Sequence, residues 1–146
     1  MQSLVVDTSV IIKWLNQDDE KYLDQANQLL RDVQSQKVEI FAPDLAKYEV
    51  SNALLKGKKL TPRQYAVVNP VFLSLPIIYV HETAALSQSC YSLAHKFDLT
   101  YSDAAFLAVA DRLESTLITD NVKHQGKCSS VKVVELKDYS EYIGSK

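Results

Sequence analysis

Glycine and proline are scarce in this chain, three and four among 146 residues. A fold assembled from many tight turns needs more of both, so the scarcity argues against an all-β sandwich or barrel and for helices. Cysteine is nearly absent too. Cys90 and Cys128 have neither the density of a disulfide scaffold nor zinc-site spacing, and they suit a reducing compartment. Positive charge is not in excess: 16 basic residues stand against 18 acidic ones, a formal net charge of −2. That argues against a passive nucleic-acid-coating protein, but little against an enzyme whose acidic centre offsets basic groups elsewhere. Long apolar runs are missing as well. The longest apolar region, residues 67–80, is interrupted by Asn69, Pro70, Ser74 and Pro76 and cannot supply a spanning helix. The apolar start is cut by Asp7 and Lys13, too early for the core of an export signal. The expectation is a cytoplasmic protein.

The rest of the composition is ordinary for a globular chain, with 47% hydrophobic and 23% charged residues. A chain of this length can bury a real core, and no repeat or linker divides it, so residues 1–146 are expected to form one domain. Short β-rich runs at 3–6, 38–41, 77–80, 117–118 and 131–134 alternate with helical patterns. Among the helices, 21–36 shows apolar residues at i, i+3 and i+4 spacing. The next is expected to start at Pro43 and stop at Gly57, and another starts at Thr61–Pro62. A further helix covers 83–96, and Ser102 is expected to cap one running from Asp103 to about residue 114. The pattern predicts right-handed βαβ units around a mainly parallel sheet, a three-layer α/β/α domain. In such sheets functional groups gather at the carboxyl ends of the strands.

Three aspartates fall at that edge. Asp7 follows the first strand, Asp120 follows Leu117–Ile118 and Thr119, and Asp103 opens a helix. Glu49 lies inside a helix at the margin of an apolar face. Each alone has a plain structural explanation: Asp7 as a helix cap, Asp103 as complement to a helix dipole, Asp120 as a turn residue, Glu49 as a solvated side chain. Converging together, they would repel one another without a cation, and hard carboxylate oxygens suit magnesium or manganese. Such an ion activates water and stabilises charge at a scissile phosphate. No competing catalytic set is present: there is no phosphate-cradling glycine loop, and His81, His95 and His124 lack metal-ligand spacing.

Four segments carry a resemblance to a known family: VVDTSVIIKW at 5–14, YEVSNAL at 48–54, LTYSDAA at 99–105 and LITDN at 117–121. In order and spacing they resemble the PIN domains, and among these the VapC-like ribonuclease toxins of toxin–antitoxin pairs. The resemblance implies a PIN fold and a magnesium or manganese ion on Asp7 and Asp103, with Glu49 and a fourth acid in support. It further implies that Ser9 and Thr119 orient the cluster through their hydroxyls, with Asn52 one turn beyond Glu49 in a similar role. The fourth acid of many family members falls two residues after the threonine, where this chain has Asn121. Asp120 and Asn121 therefore compete, and Asp120 is favoured because an anionic oxygen binds a hard cation better than an amide.

An RNA substrate, a small antitoxin partner and a homodimer formed through the middle helices (Tyr65, Val67, Val68, Val71 and Phe72) follow from the same resemblance. Lys56, Lys58 and Lys59 beyond the Glu49 helix, and Lys123 beyond Asp120, are candidate phosphate contacts; the plainer reading, solvated cations at a helix end, carries more weight. The alternative function is a PIN-like binding module with weak or lost catalysis. A receiver-like signalling domain fits less well, since only one acid ends the first strand.

Overall fold

A computed structural model describes residues 1–146. Five strands form one sheet: β1 (Gln2–Val6), β2 (Val38–Pro43), β3 (Ile77–Val80), β4 (Thr116–Thr119) and β5 (Val133–Glu135). Their order is β3-β2-β1-β4-β5, and every neighbouring pair is parallel. Parallel strands require crossovers, and the chain supplies helices. These are α1 (Thr8–Ile11), α2 (Leu23–Gln34), α3 (Leu45–Asn52), α4 (Pro62–Ser74), α5 (Ala84–Phe97), α6 (Tyr101–Arg112), α7 (Val122–Gln125) and α8 (Tyr139–Gly144). The three-layer α/β/α architecture expected from the alternating pattern is the one observed.

Leu4, Val5 and Val6 are all fully buried although alternate residues face opposite sides of the sheet, so helices cover both faces of β1. Helix α6 is buried without interruption from Ala104 to Ala110, because it packs on β1, β2 and β4 while α5 covers its outer side. Helices α2 and α3 pack on β2. The indole of Trp14 donates to the Ala26 carbonyl at 2.8 Å, tying the turn after α1 to α2.

Several boundaries differ from the sequence expectation, each for a local reason. Pro43 ends β2 rather than starting a helix; it pairs in register with Val80, and α3 begins after Asp44. Gly57 does not stop the helix in a left-handed conformation. A π turn over Ala53–Gly57 continues α3, and the left-handed residue is Lys59, φ 58°. The cap of α6 is Thr100, not Ser102: its hydroxyl accepts the Asp103 amide at 3.1 Å, which puts Asp103 in the first turn. The last strand begins at Val133 instead of Val131, and a further short helix, α7, follows β4. Among the residues suggested for a dimer contact, Phe72 is in the core and Tyr65 and Val68 pack against it, whereas Val67 and Val71 are exposed.

Candidate active site

From β1 the chain passes to β2 on one side of the sheet and later returns to β4 on the other. The crevice at the carboxyl ends of β1 and β4 is therefore the point where strand order reverses, the usual place for a site in such sheets. Asp7 leaves β1 there, its amide bonded to the Ile118 carbonyl of β4 at 3.1 Å. It also caps α1. One carboxylate oxygen, Oδ2, accepts the Ser9 amide at 3.1 Å and the Ser9 hydroxyl at 2.7 Å. The other accepts Gln125 Nε2 at 3.1 Å. The side chain is nearly buried, at 6% exposure.

The Ser9 hydroxyl spends its proton on Asp7, and its oxygen accepts the Asp120 amide at 3.0 Å. Ser9 thus joins the ends of β1 and β4. Thr119, fully buried, lies 3.5 Å from Ser9 Oγ and accepts the Asn121 amide at 2.8 Å. That bond directs residue 121 inward, where its side-chain amide donates to Asp103 Oδ1 at 3.2 Å. Asp103 is half-buried. Burial first, and then the Asp7 charge, hold its carboxyl above the ordinary value; Glu49 pushes the same way, while the Thr100 hydrogen bond and His124 oppose. Glu49, half-buried on α3, is thus within electrostatic reach of the aspartate pair.

Gln125, which sequence reasoning passed over, is fully buried on α7. Its Nε2 bonds Asp7 Oδ1 and, at 3.3 Å, the main-chain carbonyl of Asp103. Its Oε1 is buried without a partner. A single amide in the polar stretch VKHQGK carries no local signal that separates it from a solvated glutamine.

Asp120 is ion-paired through one oxygen, and its Oδ1 is buried without a partner. Its Oδ2 lies 2.7 Å from Lys13 Nζ, and Lys13 is 2% exposed. Lys13 also donates to Glu20 Oε1 at 2.9 Å and to the Lys21 carbonyl at 2.7 Å. Burial works to discharge Lys13, but the hydrogen bonds and charges of Asp120 and Glu20 outweigh it and raise its pKa. Glu20 in turn binds Lys58 at 2.7 Å, so Lys58 is engaged within the fold. Lys56, Lys59 and Lys123 are exposed, as is Asn52.

The fold therefore brings together Asp7, Asp103 and Asn121, with Ser9, Thr119 and Gln125 bonded around them and Glu49 nearby. No group of three acidic, histidine or cysteine side chains is drawn tightly enough to enclose an ion. This donor set still fits a magnesium-like cation, which binds through one or two carboxylates and keeps several waters. Repulsion between the two aspartates is what such a cation would relieve.

The PIN domain family profile matches residues 4–126. No curated protein matches the sequence. VapBC2 from Rickettsia felis, solved bound to a promoter DNA fragment, is structurally similar with a TM-score of 0.71 at 14% identity, over 92% of this chain and 98% of that one. PAE2754 from Pyrobaculum aerophilum gives 0.69 at 18% identity over 99% and 97% of the two chains. VapC20 from Mycobacterium tuberculosis, a sarcin-ricin loop cleaving toxin, gives 0.60 at 19% identity over 78% and 86%. With residues 4–126 matched and the acids gathered at the strand ends, this chain belongs to the PIN domain family.

Proposed function

We propose that this protein is a divalent-metal-dependent endoribonuclease that hydrolyses RNA phosphodiester bonds, and that it acts as the toxin of a toxin–antitoxin pair. The observation that carries the proposal is the Asp7–Asp103 pair: two carboxylates from different elements, one nearly buried, with the Asp103 carboxyl raised by burial and its neighbour's charge. Asp7 and Asp103 would hold magnesium or manganese, with Glu49 adding negative potential. Such an ion, when bound, lowers the pKa of water and stabilises charge on phosphate oxygens.

The chain's own groups have distinct tasks. Ser9 and Gln125 fix the Asp7 oxygens, and Asn121 fixes Asp103 Oδ1. In this reading Asn121 takes the inner place beside the aspartates, and Asp120, neutralised by Lys13, braces the β4 end. Glu49, whose charge reaches Asp103, would accept a proton from the attacking water. Lys56, Lys59 and Lys123 are exposed cations available to phosphates.

The toxin reading draws on the company the fold keeps. Similar structures were solved as VapBC and FitAB complexes, some of them on DNA. An antitoxin partner and a homodimer are part of the proposal; the exposed Leu55, Val67 and Val71 on α4 and the turn before it offer an apolar surface. No helix is long and apolar enough to cross a membrane, and we propose a cytoplasmic location.

The test is cleavage of a pool of cellular RNAs by the purified chain with manganese and with chelator. Discrete metal-dependent products that vanish in Asp103→Asn support the proposal. Absence of cleavage with retained RNA binding would instead favour a non-catalytic binding module.

A further inference from the structure

Between the start of α3, the ends of β2 and β3, and helices α5 and α6 lies a pocket of about 220 Å³. Its floor is apolar, with Leu45 and Leu86 among the lining residues. Two aromatic rings line it. Tyr48, adjacent in sequence to Glu49, is 76% exposed, and Tyr101, two residues before Asp103, is 40% exposed. The two differ in freedom. The Tyr101 hydroxyl donates to Glu82 at 2.5 Å, which pins its ring, whereas Tyr48 is open to solvent. Asp44 and Glu82 also line the pocket. Asp44 Oδ2 is engaged by His81, and its buried Oδ1 is ion-paired with Lys47 at 3.7 Å.

An exposed tyrosine, a pinned tyrosine and an apolar floor offer flat surfaces for stacking. The exposed Glu82 carboxylate, one oxygen of which is taken by Tyr101, offers its other oxygen as an acceptor for N–H groups. A nucleobase with an exocyclic amine has both complementary features, and adenine, guanine and cytosine carry one whereas uracil does not. The pocket is reached from the same sheet edge as the acids, and residues of α3 and α6 contribute to both. We propose that this pocket is a nucleobase subsite, holding an amine-bearing base of the RNA strand whose backbone lies over Asp7 and Asp103. The inference rests on the nuclease reading for the identity of the strand, while the base-binding chemistry depends only on the pocket.

The experiment measures binding of fluorescein-labelled ribo-oligonucleotides to the intact protein in chelator, where cleavage cannot interfere. The probes are oligo(A), oligo(U) and an abasic ribose-phosphate oligomer of equal length. Wild type should bind oligo(A) more tightly than the other two. Tyr48→Ala, a change at an exposed position that leaves the fold intact, should weaken oligo(A) binding by about tenfold or more while leaving the abasic oligomer unchanged. Tyr48→Phe, which keeps the ring, should restore binding. Equal affinity of wild type for oligo(A) and the abasic oligomer, or no effect of Tyr48→Ala, overturns the subsite. Failure of the nuclease reading looks different: RNA stays uncleaved with manganese while the Tyr48-dependent preference for oligo(A) persists.

Discussion

Lys13 Nζ sits 2.7 Å from Asp120 Oδ2, with Lys13 only 2% exposed and Asp120 at 23%. A lysine buried this far must be paired, since removing a buried charge's partner leaves it uncompensated. Lys13 thereby engages one oxygen of Asp120, while the neighbouring Asn121 side chain donates to Asp103. The pairing also fastens the segment after α1 to the end of β4.

That relationship predicts a stability effect at Asp120. Asp120→Ala should destabilise the metal-free protein by about 1–3 kcal/mol, since Lys13 keeps Glu20 but loses its other anion. Asn121→Ala should cost less than about 1 kcal/mol in the same urea titrations. Equal small losses would mean that the Lys13 pair holds nothing together.

The acid pair predicts metal-linked stability. Manganese at a hundred times its dissociation constant should raise the unfolding free energy by about 2.7 kcal/mol. Asp103→Asn should abolish most of that gain, read as the shift in thermal midpoint with and without the ion. An unchanged shift in the variant would place the ion elsewhere.

Gln125 should matter to the ion without touching it. Gln125→Met keeps the length of the side chain and removes its bonds to Asp7 and to the Asp103 carbonyl. Manganese affinity by calorimetry should fall roughly 10–100-fold, the usual consequence of losing a group that orients a ligand. Undiminished affinity in a folded variant would show that Ser9 alone suffices to hold Asp7.

The titration of Asp103 predicts a pH dependence in chelator. Burial, then Asp7, raise its folded pKa above the ordinary 3.8, so the folded chain keeps that proton to higher pH than the unfolded chain. Stability from this group is present below the ordinary value and falls as pH rises through the folded one. Asp103→Asn should remove this decline and match or exceed wild type at pH 7. Glu20 works oppositely: burial raises its pKa, but its hydrogen bonds to Lys58 and Lys13 prevail and lower it. Its contribution is present above the ordinary 4.5 and is lost as pH falls through the lowered value. Urea midpoints measured across the acid range, in wild type and Asp103→Asn, check both signs.

Local pattern alone determined much of this protein. Alternation of short β-rich runs with amphipathic stretches specified a parallel sheet between helices, because side-chain period and crossover length are properties of neighbouring residues. The same reading placed Asp7, Asp103 and Asp120 at the carboxyl edge. It favoured Asp120 over Asn121 for the inner place, on ligand chemistry alone. In the fold the Thr119 hydroxyl holds the amide of Asn121, and Lys13, more than a hundred positions away in sequence, holds the carboxylate of Asp120. Local pattern could not distinguish Gln125 from a solvated amide or Lys58 from a free cation. Burial and pairing arise only when distant segments pack, and here α7 carries Gln125 against Asp7 across a separation of 118 residues.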